Sequence, residues 1–179
     1  RSDIVFGASR MLADLAPWLH EKHQETYYQP EKILDWLEEH KTCQQAVVVC
    51  SGDTGFYSGC RKLYVELQEA IAAGQLRGSV RILPGISSVV SLAARVGESY
   101  EDAAILSMHG KKLNRLAATV ESHEKVFLLT SGCEDIRKIG QKLTEAGLWD
   151  CEVIAGYQLS YPEENIRILT PEQCEEVTE

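Results

Sequence analysis

The chain has 179 residues, of which 44% are hydrophobic and 25% charged, the usual balance of a water-soluble globular protein. Its formal net charge of −9 argues against a general affinity for nucleic acid, which requires concentrated positive charge. No apolar run approaches the ~20 residues that a membrane-spanning helix needs, and no signal peptide is visible before the first strand-like segment.

Short apolar strands alternate with amphipathic helices along the first half of the chain. Strands are predicted at Asp3–Phe6, Ala46–Cys50 and Val80–Leu83. Helices are predicted at Ser9–Leu15, around the apolar stripe of Ile33, Leu34 and Leu37, at Gly59–Ala73 and at Ser87–Val96, with Pro30 just before the second of them. The run at 46–50 is typical of a central parallel strand that is covered on both faces. Gly74 and Gly97 are expected to end the helices that precede them.

A second alternation follows the polar segment Gly97–Asp102, which is the predicted linker. Its elements are expected to be strand Ala104–Met108, helix Leu113–Glu121, strand Val126–Thr130, helix Glu134–Ala146, strand Glu152–Tyr157 and strand Asn165–Leu169. The last two strands have no helix between them, which favours an antiparallel edge. The sequence therefore predicts an α/β protein of two domains, residues 1–101 and 102–179, with mainly parallel sheets.

The cysteines are scattered along the chain without a close pair. They are Cys43, Cys50, Cys60, Cys133, Cys151 and Cys174. Disulfide frameworks belong to short secreted chains, and zinc sites show closely spaced ligands. We expect reduced, mostly buried thiols in a cytoplasmic protein that binds no metal.

Three segments that follow predicted strands have the composition of ligand-binding loops. Open α/β sheets bind ligands in such positions, at the carboxyl ends of their strands. The first loop, residues 50–59, reads CSGDTGFYSG; the second loop, residues 83–88, reads LPGISS; the third loop, residues 106–112, reads LSMHGKK.

Each loop has a structural explanation as well as a functional one. Asp53 can order its own turn by an Asx interaction or bind a ligand hydroxyl, and Ser87 or Ser88 can cap the helix that follows. His109 is a candidate acid or base, although a lone histidine near a strand end is more often structural. No GxGxxG, GK[ST], HExxH or Ser/His/Asp signature stands out.

Taken in order, SGDTGFYSG, LPGISS and SMHGK resemble the tetrapyrrole methylase family. The opening DIVFGASRML and the ending AGYQLSYPEENI are similar to the same family, so the resemblance covers nearly the whole chain. Within the family, the chain looks most like the subgroup of cobalamin biosynthesis that methylates C5 of precorrin-6Y or cobalt-precorrin-7. Thr54 stands where the usual SGDPxxYG pattern has proline. The family's strand and GxGPG loop, expected well before Asp3, do not occur in this sequence.

The resemblance implies a fold, a cofactor and a set of residues. It implies two α/β domains with S-adenosylmethionine in the cleft between them, a small-molecule tetrapyrrole substrate, and a homodimer without nucleic-acid or membrane partners. The positions that match the family's cofactor contacts are Gly52, Asp53, Thr54, Phe56, Ser87, Ser88, Leu129, Thr130, Gln158 and Leu159. His109 is the candidate catalytic residue, and Arg10, Tyr57 and Lys111 are the candidate substrate-binding residues.

Methyl transfer from a sulfonium mainly requires alignment of donor and acceptor, which agrees with the lack of a strong acid–base signature. A substrate with many carboxylates would need a locally positive site in this acidic chain. The basic residues in or beside the loops are Arg10, Arg61, Lys62, Lys111, Lys112 and Arg115. The lack of a fused second methyltransferase favours the stand-alone, cobalt-containing branch of the subgroup.

Other interpretations remain open. Uroporphyrinogen III methylation and diphthine synthesis stay within the family, although the former usually has GGDPF and PGITA, which this chain lacks. A non-catalytic ligand-binding α/β module is the alternative of a different class. A Rossmann-like nucleotide enzyme is disfavoured by the absence of GxGxxG.

Overall fold

The computed structural model describes residues 2–108 and 115–178. Contacts divide the chain into two compact units, Arg1–Ile86 and Ser87–Glu179. Each unit is an α/β assembly, as the sequence predicts. The division into domains at 101/102 stays a prediction, since a contact boundary does not by itself define a domain.

The first unit is built on a parallel sheet of three strands with β1 at its centre. Its strands are β1 (Ile4–Gly7), β2 (His23–Glu25) and β3 (Ala46–Val49), in the order β2-β1-β3. Ile4 of β1 is in register with His23 of β2 and with Ala46 of β3. All four residues of β1 are buried, as a strand between two neighbours should be.

The helices of this unit are α1 (Ser9–Asp14), α2 (Pro30–Glu39) and α3 (Cys60–Ala72), and a short 3₁₀ helix covers Ala16–Trp18. Pro30 occupies the first turn of α2, where the missing amide proton costs nothing. Gly74 adopts φ +74° immediately after Ala73, the C-cap of α3, which confirms it as a stop signal. The core of the unit consists of Ile4, Phe6, Ile33 and Leu63. The ring of Phe6 meets the edge of Trp36 at 5.5 Å between centroids.

Two expectations about strands in this unit were wrong. Val80–Leu83 is not a strand, and the side chain of Leu83 is 65% exposed. The run at Ala46 forms β3, but in the described sheet β3 lies at an edge rather than at the centre, and Val47 is 43% exposed. The apolar composition of both segments is that of buried strands, but strand formation also requires a hydrogen-bonded neighbour.

The second unit contains a parallel pair of strands and an antiparallel pair. β4 (Ala104–Ser107) pairs with β5 (Val126–Leu129), and β6 (Val153–Tyr157) pairs with β7 (Asn165–Leu169) in the antiparallel sense that the sequence predicts. The helices are α4 (Ser88–Val96), α5 (Leu116–Ser122), α6 (Cys133–Glu145) and α7 (Pro171–Glu175). The predicted start of the fifth helix at Leu113 lies outside the described residues.

The core of the second unit is formed by Leu116, Ile139 and Leu143. Gly97, with φ +73°, ends α4 as expected. The short helix α7 was not predicted, although Thr170 and Gln173 form a complete capping box at its start.

All six cysteines are free thiols, but the expectation that most are buried was wrong. Cys174 is buried, and the other five are half-buried. Burial raises the pKa of the Cys174 thiol, with a further contribution from Glu175. None of the described helices combines the length and apolarity that a membrane span requires. Within residues 2–108 and 115–178, no three His, Cys, Asp or Glu side chains are grouped as metal ligands would be.

Candidate functional site

The first loop connects the end of β3 to the start of α3 and is folded by short-range hydrogen bonds. Asp53 Oδ1 accepts a hydrogen bond from the Gly55 amide at 2.6 Å, and the Asp53 carbonyl accepts one from the Phe56 amide at 3.1 Å. This is the Asx turn that the sequence allowed. Gly52, at φ +66°, supplies the left-handed conformation that begins the turn.

Tyr57, in the same loop, has a left-handed backbone, which is unusual for a bulky residue. Its φ is +48°, and its side chain is 51% exposed. Its ring meets the ring of Phe56 in a T-shaped contact with centroids 5.1 Å apart. Such backbone conformations cost free energy and cluster at functional sites.

The second loop packs directly on the first. A Cβ atom built on Gly85 would lie 3.0 Å from the Gly52 carbonyl carbon, closer still to the Gly52 oxygen, and 3.8 Å from the Asp53 nitrogen. Only a residue without a side chain allows this approach. The structure thus brings together two motifs that the sequence separates, and it adds Gly85, which is not among the residues predicted for the site. The available signal was a glycine between Pro84 and Ile86.

Ser87 and Ser88 begin the second unit. Ser87 is 4% exposed, and its hydroxyl accepts a hydrogen bond from the Val90 amide at 3.4 Å, so it caps α4. Ser88 is the first residue of α4 and is half-buried. The capping role foreseen for one of the two serines therefore belongs to Ser87.

The remaining cofactor candidates lie on neighbouring elements of the second unit. Leu129 is the last residue of β5 and Thr130 follows it, and α4 contacts β5. Leu92 of α4 and Leu159 both reach Gly156 of β6, where a Cβ atom would be 2.9 Å from Leu92 Cδ1 and 3.1 Å from Leu159 Cδ2.

Gln158 and Ser160 form a tight turn after β6. Their φ values are +45° and +72°. The Gln158 carbonyl accepts a hydrogen bond from the Tyr161 amide at 3.0 Å, and Glu164 Oε2 accepts one from the Ser160 amide at 2.6 Å. Together with Tyr57, they are three of the four described non-glycine residues with positive φ, the fourth being Glu21. Backbone strain is thus concentrated in segments that resemble the family's motifs in sequence.

Of the candidate substrate-binding residues, Arg10 and Tyr57 lie in the part of the chain that the structure describes. Arg10 is exposed on α1, and Tyr57 is exposed in the first loop. His109 and Lys111 lie outside the described residues, as does Lys112.

Charge around α3 is balanced rather than positive. An open depression of about 570 Å³ is lined by Ser58, Arg61, Lys62, Val65, Glu66 and Glu69. Lys62 Nζ is 2.7 Å from Glu31 Oε1 and 3.4 Å from Glu66 Oε1, and these carboxylates raise the pKa of Lys62. Lys62 is therefore less suited to receive a substrate carboxylate than its position in the sequence suggested.

The residues of the first loop fit the adenosylmethionine cofactor that the sequence analysis named. Asp53 Oδ1 is committed to the turn, and its second oxygen can accept a hydrogen bond from a ribose hydroxyl or an ammonium group. Gly52 has a left-handed backbone and Gly55 is exposed. Because neither carries a side chain, a ligand can approach their backbone groups closely. Half-buried Phe56 adds an apolar surface suited to a flat ring.

Several curated proteins are similar in sequence to part of this chain. A cobalt-precorrin-7 C(5)-methyltransferase of Salmonella typhimurium is 28% identical over 137 residues, which is 76% of this chain and 63% of that protein. A precorrin-6Y C(5,15)-methyltransferase [decarboxylating] of Sinorhizobium is 31% identical over 101 residues, 56% of this chain and 22% of that protein. The chain therefore spans less than two thirds of the length of these relatives.

Solved structures share the fold. The cobalt precorrin-4 methyltransferase CbiF has a TM-score of 0.75 at 18% identity, over 98% of this chain and 77% of that one. The precorrin-6Y methylase of Archaeoglobus fulgidus has a TM-score of 0.61 at 20% identity, over 96% and 78%. A uroporphyrin-III C-methyl transferase of Thermus thermophilus, complexed with S-adenyl homocysteine, has a TM-score of 0.66 at 18% identity, over 98% and 80%.

The family described as Tetrapyrrole (Corrin/Porphyrin) Methylases matches residues 1–174. This match and the likeness of fold agree with the order of the three loops in the sequence. Since the family match extends over nearly the whole chain, the chain belongs to the tetrapyrrole methylase family.

Proposed function

We propose that this chain is an S-adenosylmethionine-dependent methyltransferase of cobalamin biosynthesis whose substrate is methylated at C5. The observation that carries the proposal is the family match over residues 1–174, combined with relatives named as C5-methyltransferases of cobalt-precorrin-7 and precorrin-6Y. Cobalt-precorrin-7 is the preferred substrate of the proposal, and precorrin-6Y is the alternative.

The geometry of the first loop supports a cofactor role for it. S-adenosylmethionine, when bound, supplies a methyl group already activated on a sulfonium. The chain then has to hold and orient the two reactants, and a preorganised turn with an acceptor oxygen is suited to that task. Asp53 would accept a hydrogen bond from the cofactor, and the Gly52 backbone would allow close approach.

The residue assignments form part of the proposal. The cofactor set is Gly52, Asp53, Thr54, Phe56, Ser87, Ser88, Leu129, Thr130, Gln158 and Leu159. Arg10, Tyr57 and Lys111 would bind the substrate, and His109 would move a proton or donate a hydrogen bond to a substrate carboxylate. We also propose a cytoplasmic homodimer that acts on a free small molecule.

The test combines binding with turnover. Calorimetry should detect S-adenosylmethionine binding to the chain, and incubation with cobalt-precorrin-7 should add one isotopically labelled methyl group, located at C5 by NMR. Uroporphyrinogen III serves as the comparison substrate. Methylation of uroporphyrinogen III alone would contradict the C5 assignment, and cofactor binding without transfer to cobalt-precorrin-7, precorrin-6Y or uroporphyrinogen III would favour a non-catalytic module. Light scattering coupled to size-exclusion chromatography would test the dimer.

A further inference from the structure

Gly85 is the point at which the second loop meets the first. The Cβ atom that any other residue would carry lies 3.0 Å from the Gly52 carbonyl carbon, and the Gly52 oxygen is closer. We propose that Gly85 is a positioning residue, which acts on cofactor binding through the backbone of Gly52 and Asp53 without touching the cofactor itself. This inference rests on the proposed function, because it concerns the same first loop.

The requirement for glycine at position 85 is steric and not conformational. The described glycines with left-handed φ are Gly52, Gly74, Gly78, Gly97 and Gly147, and Gly85 is not among them. Gly85 therefore does not hold the left-handed backbone that disfavours alanine. The obstacle is the added methyl group, which meets main-chain atoms that cannot rotate away as a flexible side chain would.

A methyl group at position 85 would displace the turn of the first loop. Gly52 carries the contact, and Asp53 follows it directly. The two hydrogen bonds from the Gly55 and Phe56 amides to Asp53 tie this turn together, so displacement of Gly52 carries Asp53 and Phe56 with it. A displaced Asp53 would lose its hydrogen bond to the cofactor, and loss of a hydrogen bond to a charged group weakens binding by about tenfold to a hundredfold.

The first loop offers a matched control at its other end. Gly59 has φ −67°, and a Cβ atom built on it meets nothing within 4 Å. Gly59→Ala therefore adds the same methyl group to the loop itself, in open space. A difference between Gly85→Ala and Gly59→Ala reports the contact with Gly52 and not the loss of a glycine as such.

The experiment measures cofactor affinity and loop protection separately. Calorimetry gives the Kd of S-adenosylmethionine for the wild type, Gly85→Ala and Gly59→Ala. Hydrogen exchange of ligand-free protein gives the protection of the Phe56 amide, which donates to Asp53. We expect Gly85→Ala to weaken binding by roughly tenfold to a hundredfold and to speed exchange of Phe56. Gly59→Ala should leave both quantities near wild type.

Each outcome has a defined meaning. Unchanged exchange of Phe56 in folded Gly85→Ala overturns the inference, as does unchanged affinity when the wild type binds the cofactor. Failure of the wild type to bind S-adenosylmethionine contradicts the cofactor assignment and, with it, the role of Gly85 in cofactor binding. Faster exchange of Phe56 in Gly85→Ala would still demonstrate the contact between Gly85 and Gly52.

Pro84→Ala covers the case in which Gly85→Ala does not fold. This substitution adds no atom at the contact between Gly85 and Gly52. Because proline fixes φ, its replacement gives the backbone next to Gly85 more conformational freedom. It should speed exchange of Phe56 and weaken cofactor binding in the same direction and to a smaller extent. Wild-type exchange and wild-type affinity in Pro84→Ala would overturn the inference.

Discussion

The carboxylate of Asp53 and the backbone amide of Gly55 are joined by a hydrogen bond of 2.6 Å. The bond has a direct consequence for the role of Asp53, because one carboxylate oxygen is already used to fold the first loop. A ligand can therefore bind the other oxygen, the remaining lone pair of Oδ1 or the backbone of the turn. The aspartate thus contributes to both the shape of the loop and its chemistry, and the two contributions can be separated by substitution.

Asp53→Asn and Asp53→Ala separate these contributions. Asparagine keeps an oxygen that can accept from the Gly55 amide, but it removes the charge, whereas alanine removes both. We expect Asp53→Ala to weaken S-adenosylmethionine binding by more than about tenfold, the usual value of a hydrogen bond to a charged group. Asp53→Asn should be intermediate. Calorimetry provides the Kd values, and wild-type affinity in folded Asp53→Ala would exclude Asp53 from the site.

Ser87 and Ser88 should differ in what they do, although both match cofactor positions. Ser87→Ala removes the cap of α4 and should lower the free energy of unfolding by about 1 kcal/mol, as measured by urea denaturation. Ser87→Thr keeps an uncharged hydroxyl that can cap α4 and should recover part of this stability. Ser88→Ala should leave stability within about 0.5 kcal/mol of wild type and weaken cofactor binding. Equal loss of stability in Ser87→Ala and Ser88→Ala would argue against this division.

The sequence predicted the helices of this protein better than its strands, for a physical reason. Helix signals are local: Pro30 fits a first turn, and Gly74 and Gly97 adopt the left-handed conformation that ends a helix. Strands depend on distant partners. Val80–Leu83 has an apolar composition but no strand pairing, whereas the polar segment His23–Glu25 forms β2 because β1 provides a parallel neighbour.

In the site, too, contacts between residues close in sequence were predicted, whereas the contact between residues distant in sequence was not. The Asx turn of Asp53 and the cap from Ser87 follow from residues a few positions apart, and both were anticipated. The approach of Gly85 to Gly52 joins two loops separated by more than an entire helix, so spacing alone could not reveal it. The positive φ of Tyr57 was equally unexpected, because aromatic residues disfavour that conformation.

Gly140 should be essential for packing α7 on α6. A Cβ atom at this position would lie 2.6 Å from Cys174 Cβ and closer still to the Pro171 oxygen. Gly140→Ala gains helix propensity, yet we expect it to lower the free energy of unfolding by about 1–3 kcal/mol because the added methyl group overpacks the contact. Gln141→Ala, at the exposed next position, is the control and should be near neutral. Urea denaturation of both variants decides, and a stabilised Gly140→Ala would refute the packing argument.

The ion pair between Arg95 of α4 and Glu164 should make part of the stability pH-dependent. Arg95 Nε donates to Glu164 Oε1 at 2.7 Å, and the Ser160 amide donates to Oε2 at 2.6 Å. These bonds, led by that from Arg95, hold the pKa of Glu164 below its usual value. A carboxylate with a lowered pKa in the folded state stabilises the fold above its unfolded pKa. This contribution is lost as the pH falls through the folded pKa.

Glu164→Gln should therefore lower the Tm near neutral pH and leave little difference from wild type once the pH is well below about 4. Glu163→Gln, a neighbouring exposed position, removes the same charge and should change the Tm little at any pH. Scanning calorimetry across an acid series, at low and high salt, gives the comparison. The Glu164 effect should shrink with added salt because the pair is partly exposed. A Tm difference between wild type and Glu164→Gln that persists unchanged into strong acid would show that Glu164 stabilises the turn by packing and not by its charge.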